Sequence, residues 1–388
     1  MKKSLLSLML GGLTIGITEF VMMGLLPDIA SDLKISIPVA GYLISAYALG
    51  VVIGAPLIVI IARNAAPKKI LLILAAMLAF FNSLSIIAPF YNLLFISRLL
   101  SGLPHGAFFG VGAVVATRLA DKGKEAQAIS IMFSGLTVAN LAGVPIGTYI
   151  GHNFAWRYTF IIIAFIGMIT FAALYFWMPN LEAKAKETVK SQLQFFKKPE
   201  AWLVILITAI GTGGLFCWIS YIAPLLTEVS QFQASDVSYI LVLAGLGMVI
   251  GNLIGGKLTD RFSPEITIIA ILLLLSVDLM LVYFFSSYQY VSLLLVFATG
   301  CISFSIGAPI QMLMIKTAVG AEMIASAAIQ AAFNVGNALG AFLGGLPLVA
   351  GFNYAAPNLV GVIMALSGAS FTFVFLQRKR RVLKLQSI

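Results

Sequence analysis

Three ionisable residues lie deep inside apolar runs, where a charged side chain is costly. Glu19 lies in the first long apolar run, and Arg98 and His105 lie seven residues apart in the fourth. Ionisable residues in such segments mark ion pathways and proton relays by default. A nonpolar surrounding favours the neutral form of a carboxyl group, whereas a nearby guanidinium favours its charged form. A movement that changed the distance between two such groups would therefore bind and release a proton.

Each of these residues also has a structural interpretation. Glu19 could accept hydrogen bonds between helices, and Arg98 could extend its long side chain to a nearby membrane surface. His105 could be a neutral, packed histidine beside Gly102 and Gly106. Asp278, inside the ninth apolar run, is a weaker candidate for the same chemistry.

No other group of residues predicts catalysis. Two histidines and two cysteines, Cys217 and Cys301, do not have the spacing of metal ligands, and both cysteines lie in apolar runs as small packing residues do. The G-x-x-x-x-G-K-[ST] loop that binds nucleotide phosphates is absent from the sequence. We therefore expect no catalytic residue, no metal and no cofactor. If the protein moves a solute, the energy must come from a gradient.

The composition places these residues in a membrane protein. Of the 388 residues 61% are hydrophobic and 10% are charged, whereas a soluble domain carries about 25% charged residues. This excludes a cytosolic enzyme, a secreted disulfide scaffold and a disordered chain. Because a span needs about 20 apolar residues, we predict an all-α membrane protein with twelve spans, at 4–27, 38–62, 69–88, 93–118, 126–151, 157–178, 201–226, 236–258, 264–285, 290–315, 323–348 and 354–376.

The basic residues predict the orientation of these spans. With the N-terminus in the cytoplasm, all of the 24 Lys and Arg residues except Lys34, Arg98 and Arg157 fall in cytoplasmic segments. This bias predicts an inner-membrane protein with both termini in the cytoplasm, and it explains the net charge of +10 without nucleic acid. The polar segment 179–200 is either an amphipathic surface helix or a solvated tether.

The two halves of the chain match at one ungapped offset of 197 residues. Several pairs of residues at this offset have the same residue type. Among them are Gly16 and Gly213, Pro27 and Pro224, Tyr42 and Tyr239, Gly50 and Gly247, Gly54 and Gly251, Glu125 and Glu322, and Asn140 and Asn337. We predict two parallel six-helix bundles, 1–178 and 201–388, joined by the linker 179–200 and rocking about a central site. The partners of Glu19, Arg98 and His105 are Phe216, Leu295 and Ile302, so the architecture does not require these charges.

Three motifs resemble those of the major facilitator superfamily. The loop after the eighth span reads Gly251-Asn-Leu-Ile-Gly-Gly-Lys-Leu-Thr-Asp260-Arg261, and the fourth span contains Arg98-Leu-Leu-Ser-Gly-Leu-Pro-His105-Gly106. The fifth span contains Asn140-Leu-Ala-Gly143-Val-Pro145, which is similar to the motif of the drug/proton antiporters. With Thr18-Glu19-Phe20, these segments resemble the AraJ-like sugar- and drug-efflux branch over nearly the whole chain.

The resemblance implies a proton-coupled exporter that works by alternating access, with Glu19 as proton carrier and Arg98 as its charge partner. His105, if protonated, would also favour the charged form of Glu19. It assigns gating to Gly143 and Pro145 in the fifth span and to Asp260 and Arg261 after the eighth. The first half departs from the family pattern, because the repeat partner of Asp260 is Arg63, followed by Ala65 and Ala66. A gating mechanism that needs both loops is therefore in doubt.

The substrate is expected to be a small amphipathic molecule, such as a sugar, a sugar derivative or a drug. Polar and aromatic residues on the spans expected to line the cavity are the candidate substrate contacts: Phe20, Phe109, Asn140, Trp218, Tyr221, Gln311, Gln330 and Asn334. A proton symporter or a uniporter that imports a solute is the alternative, and a membrane scaffold or sensor has no attached soluble domain to support it. We expect a monomer whose partners are the substrate, protons and lipid.

Overall fold

A computed structural model describes residues 2–62, 64–182, 193–233 and 235–386, with the side chains of 37, 38 and 382–386 excepted. In this part of the chain the regular secondary structure is entirely helical, and twelve helices are long and apolar enough to cross a membrane. They are α1 (Lys3–Asp32), α2 (Ile37–Ala62), α3 (Pro67–Ile86), α4 (Tyr91–Leu119), α5 (Glu125–Asn153), α6 (Trp156–Trp177), α7 (Pro199–Ile219), α8 (Val237–Arg261), α9 (Pro264–Phe285), α10 (Gln289–Thr317), α11 (Glu322–Val349) and α12 (Pro357–Gln386). The predicted all-α class and the number of spans are confirmed.

Two helices continue five residues or more beyond their predicted ends. Helix α1 reaches Asp32 rather than residue 27, and α12 reaches Gln386 rather than residue 376. The prediction counted apolar residues, but helical hydrogen bonding needs none, so polar residues extend both helices past the apolar segment.

The predicted seventh span, 201–226, is broken. Helix α7 ends at Ile219, and a three-residue helical turn, Ile222–Pro224, and a wide π-helical turn, Leu225–Val229, follow it. Pro224 lies in the short turn after the break and has no N–H to donate to the carbonyl group of Ser220.

Helix α5 also contains a π-helical turn, at Ala139–Gly143. Pro145 lies just after this turn and has no N–H to donate to the carbonyl group of Leu141. Such wide turns are rare within helices and are frequent at functional sites. This one contains Asn140 and Gly143, which the sequence analysis assigned to substrate contact and gating.

The chain divides into two compact units. The first comprises Met1–Leu193 with Gly320–Ala331, and the second comprises Gln194–Val319 with Ala332–Ile388. The predicted domain boundaries at 178 and 201 stay predictions. Residues 183–192 of the predicted linker, and Arg63, lie outside the described residues. After the gap the chain forms a short 3₁₀ turn at Phe195–Lys197 and enters α7 at Pro199.

Glycines interlock two pairs of helices in the first unit. A Cβ atom at Gly50 of α2 would collide with the backbone carbonyl of Leu99 in α4, and one at Gly102 of α4 would collide with that of Tyr47 in α2. In α1, a Cβ atom at Gly12 would lie 2.6 Å from the backbone carbonyl oxygen of Met132 in α5. Small residues allow this close approach of backbones in membrane proteins, so α2 packs tightly on α4 and α1 on α5.

The second unit repeats one of these contacts. Gly247 and Gly251 of α8 are the repeat partners of Gly50 and Gly54, and Cβ atoms there would collide with backbone carbonyl groups of Phe297 and Cys301 in α10. The offset found in the sequence therefore corresponds to equivalent helix contacts within each unit.

Candidate functional site

Arg98 is the central residue of a buried polar cluster in the first unit. Its side chain on α4 is fully buried, and none of its three guanidinium nitrogens has a hydrogen-bond partner among the described residues. The guanidinium carbon lies 4.5 Å from the centroid of the Tyr47 ring on α2. A cation over an aromatic face is stabilised by the ring quadrupole, but the unsatisfied N–H groups remain costly.

Glu19 is the acidic residue that interacts with this cluster. It is half-buried on α1 and interacts electrostatically with both Arg98 and Tyr47. Within the described part of the chain, Glu19 and Arg98 form no salt bridge, because no hydrogen bond joins the buried guanidinium to a carboxylate. The carboxylate therefore offsets the positive charge of Arg98 from a distance, and a small movement would change the strength of this interaction.

Tyr47 joins Arg98 to His105. The Tyr47 hydroxyl oxygen lies 3.0 Å from His105 Nδ1, and both side chains are buried. The hydroxyl group donates this hydrogen bond when Nδ1 carries no proton, as in one of the two neutral tautomers. A continuous series of contacts thus runs from Arg98 on α4 to Tyr47 on α2 and back to His105 on α4.

The sequence does not single out Tyr47 as a functional residue, although it contains a signal for it. Tyr47, Gly50 and Gly54 are spaced by three and four residues and so share one face of α2. Gly50 and Gly54 are the glycines that lie against α4. The signal is therefore an aromatic residue, Tyr47, on the face of α2 that carries the two glycines.

Aromatic rings surround the other side of His105. Phe109 packs edge-on against His105 with a centroid distance of 5.3 Å, and it stacks on Phe133 at 5.0 Å. Phe109 is fully buried, and His105 is 4% exposed. This packing favours the structural interpretation of His105 as a neutral, packed histidine.

The remaining candidate contacts of the first unit differ in their surroundings. Phe20 is half-buried beside Glu19. Asn140 donates a hydrogen bond of 3.0 Å to the Leu136 carbonyl oxygen of its own helix. Gln330 is buried, and its Cβ atom lies 3.4 Å from the position that a Cβ of Gly106 would take. The structure therefore brings Gln330 against Gly106 of α4.

The second unit contains the other four candidate contacts. Trp218 on α7 is 1% exposed, and its Nε1 group has no hydrogen-bond partner in the described ranges. The Tyr221 hydroxyl group donates a 2.7 Å hydrogen bond to the Ala341 carbonyl oxygen. Gln311 and Asn334 are buried. Trp218 thus carries a buried donor that a ligand oxygen could satisfy.

The gating candidates lie at helix irregularities and helix ends. Gly143 ends the π-helical turn of α5, and Pro145 follows it. The prediction of a loop at Asp260 and Arg261 is wrong, because both residues belong to the last turn of helix α8. The Arg261 guanidinium lies 5.4 Å from the Phe262 ring. A cation at this position also interacts favourably with the helix dipole.

Asp278, the weaker candidate, has a specific partner. Its carboxyl group accepts a 2.7 Å hydrogen bond from the Thr299 hydroxyl group, which joins α9 to α10. Among the described residues, no group of three or more His, Cys, Asp or Glu side chains is arranged to hold a metal ion.

Comparisons with known proteins identify the family to which this chain is similar. The Major Facilitator Superfamily matches residues 8–344. The putative transporter AraJ of Escherichia coli is 39% identical over 98% of this chain and 97% of its own length. A probable sugar efflux transporter of Helicobacter pylori is 30% identical over 85% and 84%, and a chloramphenicol resistance protein of Streptomyces lividans is 31% identical over 86% and 85%.

A solved structure shows the same fold. The E. coli fucose:proton symporter FucP aligns with a TM-score of 0.75 over 96% of this chain and 98% of its own, at 15% sequence identity. At that identity the likeness concerns the fold alone.

Proposed function

Because the chain belongs to the major facilitator superfamily, we propose that this multi-pass inner-membrane transporter is a proton-coupled exporter of small molecules. It exchanges protons for a sugar, a sugar derivative or an amphipathic drug by alternating access. The observation that carries the proposal is the buried Arg98 guanidinium, which has no hydrogen bond among the described residues and interacts electrostatically with Glu19.

The charges of this cluster suggest how a proton is coupled. With Glu19 ionised, its charge balances that of Arg98, and the cluster is neutral. Protonation of Glu19 leaves one uncompensated positive charge, which is costly in a medium of low dielectric constant. The protonated cluster therefore favours a conformation in which Arg98 gains water or a polar ligand, so that protonation and conformation are linked.

His105 has a supporting part in this proposal. The Tyr47 side chain contacts both residues, because its hydroxyl group meets the His105 ring and its aromatic face meets the Arg98 guanidinium. Through Tyr47, His105 helps to hold the Arg98 guanidinium in place while the charge of Glu19 changes.

The substrate class is inferred from relatives and from polar groups. Two relatives are named for sugar efflux and for chloramphenicol resistance, and sugars and chloramphenicol are both small molecules with polar groups. The candidate substrate contacts of this chain supply donors, acceptors and aromatic faces for such a molecule. They are the unpartnered Trp218 Nε1 group and the side chains of Phe20, Phe109, Asn140, Tyr221, Gln311, Gln330 and Asn334. Gly143, Pro145, Asp260 and Arg261 act in gating.

The orientation and assembly are part of the same proposal. The distribution of Lys and Arg supports cytoplasmic termini. The chain acts as a monomer, because two repeated halves suffice to form one transport path.

The test is substrate flux in proteoliposomes that contain the purified protein. A panel of labelled sugars and drugs is offered with and without an imposed pH gradient. An exporter accumulates its substrate on the acidic side of the membrane, where protons enter the exchange, and acidifies the opposite compartment. Accumulation on the side to which protons flow would instead establish the alternative, a proton symporter. Flux that ignores the gradient would establish a uniporter.

A further inference from the structure

A groove in the second unit lies between the start of α7 and the end of α12. Its volume is about 450 Å³, and its lining includes Lys197, Trp202, Leu203, Leu206, Val374 and Arg378. Trp202 is 54% exposed and Val374 is 44% exposed, so the groove is open to the surroundings of the protein. None of these residues belongs to the polar cluster around Arg98.

The lining changes from charged to apolar along the groove. Lys197 precedes α7, and Leu203 and Leu206 follow one and two turns into that helix. On α12, which leads towards the same end, Val374 precedes Arg378 by about one turn. Both cations therefore lie at one end of the groove and the aliphatic side chains lie further along it, as the headgroup and chains of a phospholipid are ordered.

The cations at the charged end are available to an anion. Lys197 forms no ion pair within the described part of the chain. The Arg378 Nε group donates a 3.3 Å hydrogen bond to the Glu200 carboxylate. This leaves the two terminal amino groups of the guanidinium for a further partner. The neighbouring Lys379 bonds Glu265 instead, at 2.5 Å. Two cations and one carboxylate leave the charged end with a net positive charge.

Trp202 has the polar and apolar contacts that are typical of tryptophan at the surface of a bilayer. Its indole Nε1 group donates a 2.7 Å hydrogen bond to the Phe196 carbonyl oxygen, which fixes the ring between the charged end and the leucines. Tryptophan is enriched at the level of lipid headgroups, where one edge of the ring is polar and the rest is apolar.

We propose that this groove is a binding site for one anionic phospholipid. The phosphate is held by Lys197 and Arg378, and one acyl chain lies along Leu203, Leu206 and Val374. Basic pockets between membrane helices have the chemistry to hold such headgroups. The aliphatic floor excludes a free phosphate or a sugar phosphate as the preferred ligand, because it offers no polar partner to a hydrated molecule.

The test measures the thermal stability of the detergent-solubilised full chain as phosphatidylglycerol is added. We expect Tm to rise with phosphatidylglycerol and not with phosphatidylcholine or with soluble glycerol 3-phosphate. The double variant Lys197→Gln/Arg378→Gln should weaken the apparent affinity for phosphatidylglycerol by about tenfold or more. Its matched control is Lys122→Gln/Lys124→Gln, which removes the same charge from an exposed loop of the other unit and should bind normally.

A second variant tests the apolar part without altering charge. Val374→Trp places a large side chain in the groove at a position that is already exposed, and it should lower the same affinity while leaving Tm without lipid unchanged. An equal loss in the loop control would show that only general surface charge matters and would overturn the site. A response to glycerol 3-phosphate as strong as that to the lipid, or full affinity in Val374→Trp, would also overturn it.

Discussion

The Arg98 guanidinium lies over the face of the Tyr47 ring at 4.5 Å, and this is the contact that joins its charge to α2. The guanidinium is fully buried, and no hydrogen bond to a described residue supplements the contact. Its position therefore depends on an aromatic face and on the distant charge of Glu19. Buried charges are usually paired directly, so a cation held in this way remains available to a second partner.

The first prediction concerns Glu19. Glu19→Gln imitates the protonated state permanently, so we expect passive exchange of substrate to survive while accumulation driven by a pH gradient is lost. Glu19→Asp keeps the carboxyl group at a shorter reach and should retain part of the accumulation with a shifted pH optimum. Flux in proteoliposomes with and without the gradient measures both. A full response of Glu19→Gln to the gradient would assign coupling to another residue, with His105 and Asp278 as the next candidates.

The second prediction separates the two contacts of Tyr47. Tyr47→Phe keeps the ring under Arg98 but removes the hydroxyl group that contacts His105, so it should retain most of the gradient-driven transport. Tyr47→Leu removes both and should lose coupling, together with about 1–2 kcal/mol of stabilisation from the ring. Flux and Tm are measured for each variant.

Tyr42→Leu is the matched control for this pair, because Tyr42 lies on the same helix and is 59% exposed. It should transport normally. Equal transport by Tyr47→Leu and Tyr42→Leu would show that the ring does not position Arg98.

The third prediction concerns the close contact of α2 with α4. Gly102→Ala adds a methyl group against the backbone of Tyr47, so the helices must separate, at a cost of about 1–3 kcal/mol. We expect a lower Tm and weaker coupling, since Arg98 and His105 flank this position. Gly41→Ala is the control on α2, because a Cβ atom there meets nothing within 4 Å. A normal Tm for Gly102→Ala would contradict the interlocked packing.

The fourth prediction concerns topology. In a background of Cys217→Ala and Cys301→Ala, single cysteines replace Lys190 and Leu383, which lie in segments predicted to be cytoplasmic. Membrane-impermeant thiol reagents added to intact cells should label neither, whereas Lys34→Cys, predicted to lie outside, should react. Labelling of both positions from outside would reverse the proposed orientation.

Several spans could be read directly from the sequence, because hydrocarbon imposes a length that does not depend on neighbours. Helix α9 begins at Pro264 and ends at Phe285, as predicted. Long charged or polar extensions, such as that of α12, could not be read in this way. The break after Ile219 could not be predicted from Pro224, because its repeat partner Pro27 lies inside the continuous helix α1.

The candidate site was only partly predictable. Glu19, Arg98 and His105 stand out because ionisable residues are rare in apolar runs, and the structure places all three in the first unit. Tyr47 does not stand out, since an aromatic residue in a span is ordinary until its neighbour across the helix contact is known. The burial of Phe109 and Trp218 also depends on which face of each helix packs inward, and a single sequence does not determine that face.

The interlocked glycines have a mechanical consequence. Gly50 and Gly102 bind α2 to α4, so Tyr47, Arg98 and His105 travel as one rigid body. Gly12 and its contact with Met132 bind α1 to α5 in a second body, and Glu19 travels with that one. A displacement of α1 against α4 would therefore change the separation of Glu19 from Arg98 and leave the contacts among Tyr47, Arg98 and His105 in place. The separation of the Glu19 and Arg98 charges would then depend directly on the position of α1 within the first unit.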